Sequence, residues 1–302
     1  MAGDRTLSLR AEPLETHQTT GAARVRVGRT VRSVLKHLAL LLFSLFFLFP
    51  WFWMLSTSFK GPRQLLLYPP VWIPSPIVWD NYATAVVQSG LLQYSLNTLE
   101  IAVLATLGEL ISSSLAAYGL ARLRWPGRDL VFAIVLSTLM VPDAVTFIPL
   151  YLTFHSLGWL NTFLPLIVPG FFAYNAFYVF LLRQFFMTIP EEISNAARID
   201  GCGDVGIFSR IILPLSKPAL AVVALFEFVY HWNDLFGPVI YLSDKSLYTI
   251  PLGIASMQAS YGFTNFAWIM AATILSILPI IVLFFFAQRT FIQGITLTGL
   301  KG

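Results

Sequence analysis

Charge is the scarcest ingredient of this chain. Only 11% of its 302 residues are Asp, Glu, Lys or Arg, where a water-soluble domain carries about a quarter. Cysteine is nearly missing as well. Cys202 stands alone, so the chain cannot close a disulfide on itself or build a cysteine-based metal site. Four histidines are present, but no three ligands fall at a spacing that suits zinc. There is no G-x-x-x-x-G-K-S/T phosphate loop, so ATP has no such cradle here. No nucleophile–base pair speaks for an enzyme, and neither a short-period repeat nor a low-complexity tract occurs. What the chain does have is apolar sequence: 57% of it is hydrophobic, with several runs near the roughly 20 residues that cross a bilayer core. These features specify an all-α polytopic membrane protein.

The hydrophobic runs predict six transmembrane helices, at about 36–58, 91–120, 129–152, 162–183, 217–242 and 266–288. The first follows a basic tail and lacks a small-residue cleavage site just after it, so it reads as an uncleaved helix rather than a signal peptide. All but Lys60, Arg63 and Lys245 of the 19 Lys and Arg fall on one side of this arrangement. By the positive-inside rule that side is the cytoplasm, and both termini lie there. The net charge of +4 therefore reflects membrane sidedness and gives no nucleic-acid signal. Residues 1–32 read as a basic cytoplasmic tail, disordered or lying on anionic headgroups, and 33–302 as the transmembrane domain. The Pro- and Trp-rich segment 61–90 is expected to form an ordered external cap.

A polar stretch interrupts the apolar pattern at 184–217. Thr188 is placed to cap a helix whose first turn holds Pro190, Glu191 and Glu192, residues that suit a helix N-terminus. Ala196 and Ala197 put minimal side chains on one turn, and Gly201 can end the helix in a left-handed residue. Asp204 can cap a second short helix carrying Phe208, Ile211 and Ile212, which Pro214 and Pro218 stop. On these residues alone two interpretations stand. The loop packs on its own bundle, or it offers a close-approach surface to a cytoplasmic partner.

Ionisable groups inside spans are costly and usually face a cavity or a partner. Glu100, Glu109, Asp143 and Glu227 are the candidates. Glu227, Tyr230 and Asp234 have i, i+3, i+7 spacing, with His231 at i+4 from Glu227 and Asn233 nearby. Tyr174, Asn175 and Tyr178 form a second polar edge. Such sets either line a pathway for a hydroxyl-rich solute or hold the bundle together by hydrogen bonds. Pro142 and Pro149 should break or kink the third span.

The run Ala196-Ala197, Ile199-Asp200-Gly201 and Ile211-x-Leu213-Pro214 resembles the coupling loop of binding-protein-dependent ABC permeases. Ala116–Arg122 with Pro126-Gly127, Met140-Val141-Pro142 with Ile148–Tyr151, and Trp232-Asn233-Asp234 extend the likeness. They point to the shorter permease subunit of the maltose-type, carbohydrate-importing branch. Asn195 stands where the family usually has glutamate, and Cys202 where it usually has alanine. Asparagine keeps size and hydrogen bonding but brings no charge.

The resemblance implies a heteromeric complex in a prokaryotic inner membrane. Its expected partners are a second permease, an ATPase dimer that uses ATP and Mg, and an extracytoplasmic solute-binding protein. The chain itself would bind no cofactor or metal. Docking on the ATPase would fall to Glu192, Asn195, Ala196, Ala197, Arg198, Asp200, Gly201, Phe208, Leu213 and Pro214, with Thr298 and Gly299 of the tail 289–302. A di- or oligosaccharide is the expected solute and glycerol 3-phosphate the alternative. An ion-coupled secondary carrier is more distant, because such carriers usually show internal repeats and more spans.

Overall fold

The computed structural model describes residues 19–261 and 266–299, with side chains over 32–142, 144–259 and 266–288. It falls into two units, Met1–Met54 and Leu55–Gly302. The first is most of α1, Thr19–Ser58, which starts inside the tail expected to be irregular. The Gly-Ala-Ala-Arg-Val-Arg run there holds no proline to prevent it.

In the second unit the 61–90 segment is ordered, as expected, around α2 (Pro62–Leu65) and α3 (Asp80–Val87). Asn81 fixes it: its amide donates to Ser58 O at 2.8 Å and Lys60 O at 3.0 Å. The same Asn81 accepts from the Trp268 indole at 3.1 Å.

The central element is α4, Leu91–Ala121, unbroken because its interior holds no proline. Buried residues occur around much of its surface, as expected of a helix packed inside a bundle. It packs on the 3-10 segment Val168–Phe172, on α8 (Ala176–Thr188) and on α12 (Lys217–Asn233). The third expected span is two helices, α5 (Arg128–Thr138) and α6 (Asp143–Ser156), parted at Pro142 as foreseen. At 11 and 14 residues each is shorter than a bilayer crossing. Pro149 sits within α6 without ending it.

The fourth span comprises α7 (Leu164–Ile167), the 3-10 segment and α8. It breaks at Ala173, which has φ 52°, and runs on to Thr188. After it come α9 (Glu191–Ile199), α10 (Asp204–Ile207), a π turn at Phe208–Ile212 and α11 (Leu213–Leu215). The wider π turn makes room for the Pro214 ring against the preceding carbonyls. The Asp204–Leu215 segment then meets α12 at a bend of 78°. Beyond α12 lie α13 (Phe236–Tyr241), α14 (Ile250–Tyr261) and α15 (Phe266–Gly299).

Among the described residues, four helices are long and apolar enough to cross a membrane, or five if the bent pair is one span. The helical membrane architecture is as expected. A count of six further requires α5 and α6 to act together as one crossing.

Close backbone approach fixes the 3-10 segment on α4. A Cβ at Gly170 would stand 2.8 Å from Ala105 O, and one at Gly108 would stand 2.5 Å from the Phe171 ring. We expect Gly170→Ala to cost about 1–3 kcal/mol through overpacking, seen as a lower melting temperature in detergent. An unchanged melting temperature would show that this contact yields freely.

Candidate functional site

Two polar features stand out from the apolar bundle. The first lies between α4 and α12. Glu109 and Glu227 are 1% and 5% exposed, a costly placement that demands partners. Glu227 Oε1 meets His231 Nε2 at 2.9 Å, and the Tyr178 phenol lies near the same carboxylate. Glu109 accepts from the Ser113 hydroxyl and lies near the Tyr174 and Asn175 backbone. The neighbouring Ser112 donates to Gly170 O at 2.7 Å and accepts from Ala173 N at 2.9 Å. Ser112 therefore supports the break before α8, and Asn175 caps that helix through Phe177 N at 3.1 Å.

The sequence-based set divides here. Glu227, His231 and Tyr178 come together with Glu109. Tyr230 and Tyr174, each 60% exposed, lie outside this buried contact. Tyr174 precedes α8, so it is not stacked one helical turn below Tyr178. Asn233 is exposed, and its amide donates to Val229 O at 2.8 Å on its own helix. Asp234 does not continue the Glu227–Tyr230 face. The helix ends at Asn233, and Asp234 turns away to accept from Gly237 N at 3.1 Å. Glu100 is exposed, and the Asp143 side chain lies outside the described residues.

The second feature is the loop carrying α9 and α10. Glu191 and Glu192 occupy the first turn of α9 as expected, but Pro190 takes the cap position. Thr188 ends α8 instead, its hydroxyl donating to Phe185 O at 2.7 Å. Gly201 has φ +84°, with Cys202 N donating to Ala197 O at 2.9 Å and Gly201 N to Arg198 O at 3.1 Å. This double closure is the Schellman turn expected of a C′ glycine. Asp204 is the first residue of α10, after Gly203 at the cap position, and accepts from Arg198 at 3.4 Å. Asn195 accepts from the same guanidinium at 3.0 Å.

Ile207, Phe208 and Ile212 anchor the loop in a core with Tyr118, Leu182 and Phe186. Ile193, Ala196, Ile199 and Val205 remain exposed, while Ala197 is half-buried. Leu213 is half-buried and Pro214 exposed. Leu300–Gly302 and the side chains of 289–299, Thr298 and Gly299 included, lie outside the described residues. The α15 backbone is helical to Gly299, past the span end expected at 288.

Two arginines beside the loop were read in the sequence only as side-marking charges. Arg122, at the end of α4, donates to Phe186 O at 2.5 Å and to Ile189 O, in the last turn of α8 and at its C-cap. Arg183 of α8 donates to Leu120 O of α4 at 3.2 Å, lies 4.0 Å over the Phe132 ring and stands 3.7 Å from Asp129. Arg122 directly follows the last residue of α4, and helix C-termini attract cations, a signal that could have marked it; Arg183 lies inside α8 and carries no such signal. No group of three or more His, Cys, Asp or Glu capable of holding a metal occurs among the described residues.

Residues 109–297 match the family model for the binding-protein-dependent transport system inner membrane component. The arabinooligosaccharides transport system permease protein AraQ of Bacillus subtilis is 34% identical, over 87% of this chain and 93% of its own length. The sn-glycerol-3-phosphate transport system permease protein UgpE of Yersinia enterocolitica is 35% identical, over 86% and 94%. A chain in the crystal structure of a bacterial ABC transporter involved in the import of the acidic polysaccharide alginate superposes with a TM-score of 0.73. It is 25% identical, over 92% of this chain and 99% of that one. This chain therefore belongs to the binding-protein-dependent inner membrane components: it is a permease subunit of an ABC importer, a transport protein that is not itself catalytic.

Proposed function

We propose that this permease imports a neutral di- or oligosaccharide by alternating access, driven by ATP and Mg in a separate ATPase dimer. A second, non-identical permease completes the pathway, and a solute-binding protein delivers the sugar from outside. Both termini, the loop at 184–217 and the tail 289–302 face the cytoplasm. The observation that carries the proposal is the α9–Gly201–α10 loop. It buries one side in the bundle and presents Ile193, Ala196, Ile199 and Val205 outward. Docking into the ATPase would use this outer side together with Glu192, Asn195, Arg198 and Asp200, with Phe208, Leu213 and Pro214 holding the loop to the bundle. Closure of the ATPase would favour one of two permease states, which is how ATP would move the solute.

The solute surface is assigned to the exposed Tyr230, Asn233 and Tyr174 beside Glu227, His231, Tyr178, Asn175 and Asp234. Aromatic faces and amides of this kind suit sugar rings and hydroxyls. Neutral sugar is favoured because no Lys or Arg lies in the middle of a predicted span to meet a phosphate. Similarity to a glycerol-3-phosphate permease supports the second reading.

The test is uptake by the reconstituted complex with its binding protein, comparing arabino-oligosaccharides, malto-oligosaccharides and glycerol 3-phosphate. ATP-dependent uptake of a sugar is expected. Uptake of glycerol 3-phosphate alone would select the second reading, and uptake driven by an ion gradient without ATP would remove both.

A further inference from the structure

Arg122, just after α4, and Arg183, inside α8, form a reciprocal clamp. The last carbonyls of a helix lack partners within it and carry its partial negative charge. Here each helix is tied to the other: Arg122 reaches from α4 to Ile189 O and to Phe186 O, which also accepts from Ile189 N, and Arg183 reaches from α8 to Leu120 O. Both Arg122 bonds come from one terminal nitrogen, Nη2, whose two N–H groups serve two acceptors. Ile189 is the single residue between α8 and Pro190, the cap of α9, and its extended backbone is what a following proline requires.

Two further bonds join the end of α4 to the same loop. The Tyr118 hydroxyl donates to Asp204 O at 3.2 Å, and Arg124 stands 3.5 Å from Glu191. The Arg124–Glu191 pair is exposed and adds little. The clamp is sheltered, since Arg183 is 9% exposed. Farther along the same α4, the buried Glu109 lies near the start of α8 and near Glu227 of α12.

We infer that Arg122 is a positioning residue that makes the ends of α4 and α8 move as one body, so that displacement of the α9 loop reaches the buried Glu109 through α4. This inference rests on the proposed coupling role of the loop. It does not require Arg122 to touch either the ATPase or the solute.

The test uses the assembled complex. Arg122→Ala should be recovered with its partners, while the stimulation of ATP hydrolysis by the solute-binding protein falls roughly tenfold, within the usual range of coupling between distant sites. Arg122→Lys, with a cation but no fork, should restore part of it. Spin labels at Leu115 and Met187, both exposed, in a Cys202→Ser background supply a second readout. Their separation should stay constant between nucleotide-free and ATP-bound complexes with Arg122 present, and vary in Arg122→Ala.

Normal stimulation in an assembled Arg122→Ala complex overturns the inference. So does a Leu115–Met187 separation that changes with nucleotide while Arg122 is present, and this second measurement decides the matter if the alanine variant fails to assemble. Normal stimulation in Gly201→Val would instead remove the coupling role on which the inference stands.

Discussion

Gly201→Val should abolish uptake while leaving the protein inserted in the membrane. A Cβ at Gly201 meets nothing within 4 Å, so the substitution causes no collision. The damage comes from the backbone, because φ is +84°. A β-branched residue held there costs about 1–3 kcal/mol, and the loop can relieve that cost by opening the turn. Opening would break the Cys202–Ala197 and Gly201–Arg198 bonds and re-aim α10 relative to α9. Gly201→Asn separates conformation from space, since asparagine tolerates the left-handed region far better than valine. It should retain much of the uptake. Normal uptake in the valine variant would sink the coupling role of this loop, and equal loss in both variants would show that the turn conformation is not what matters. Membrane insertion is read by fractionation and transport by solute accumulation in whole cells.

The second large effect is expected at Glu227. Glu227→Ala deprives His231 of its acceptor inside the bundle, beside the buried Tyr178. Leaving a buried donor or acceptor without its partner costs roughly 1–3 kcal/mol, so uptake should fall about tenfold or more. Interhelical hydrogen bonds in membranes average only about 0.6 kcal/mol toward folding, which leaves the bundle assembled. Glu227→Gln keeps an acceptor and should lie between wild type and alanine. Asn233→Ala removes an exposed amide bonded only within its own helix, so its effect should fall on apparent solute affinity. If Glu227→Ala and Asn233→Ala both transport with normal rate and affinity, the solute pathway lies elsewhere.

Where local chemistry decides the structure, the sequence was a good guide. Gly201 marks the end of α9, Pro142 parts α5 from α6, and Glu109 and Glu227 were singled out as ionisable groups at membrane depth. Tertiary partners decide the rest. Arg183 was taken as the edge of the fourth span, yet Asp129, Phe132 and Leu120 O receive its charge, and α8 continues to Thr188. Thr188 is consequently spent at the end of one helix instead of capping the next. The break at Ala173 is held by Ser112, distant in sequence, and no turn residue marks that position.

Asp234 fits helical spacing from Glu227, but spacing presumes an unbroken helix, and Asp234 caps the segment that follows. The apolar residues of α14 lie in a stretch assigned to an external loop. At 12 residues this helix is too short to read as a span, and its close fit depends on Gly253 packing under the Tyr94 ring. Arg122 belongs with these cases. Its sequence context gives sidedness, and only the neighbouring helix end gives it a role.

Affinity purification of this chain from native membranes in mild detergent, with ATPase activity measured on what co-purifies, tests the central claim most directly. We expect a second permease and an ATPase to come with it, and ATP hydrolysis to rise when the solute-binding protein is added. Recovery of the chain alone, from membranes whose solute uptake follows a proton or sodium gradient and ignores ATP, would contradict the account.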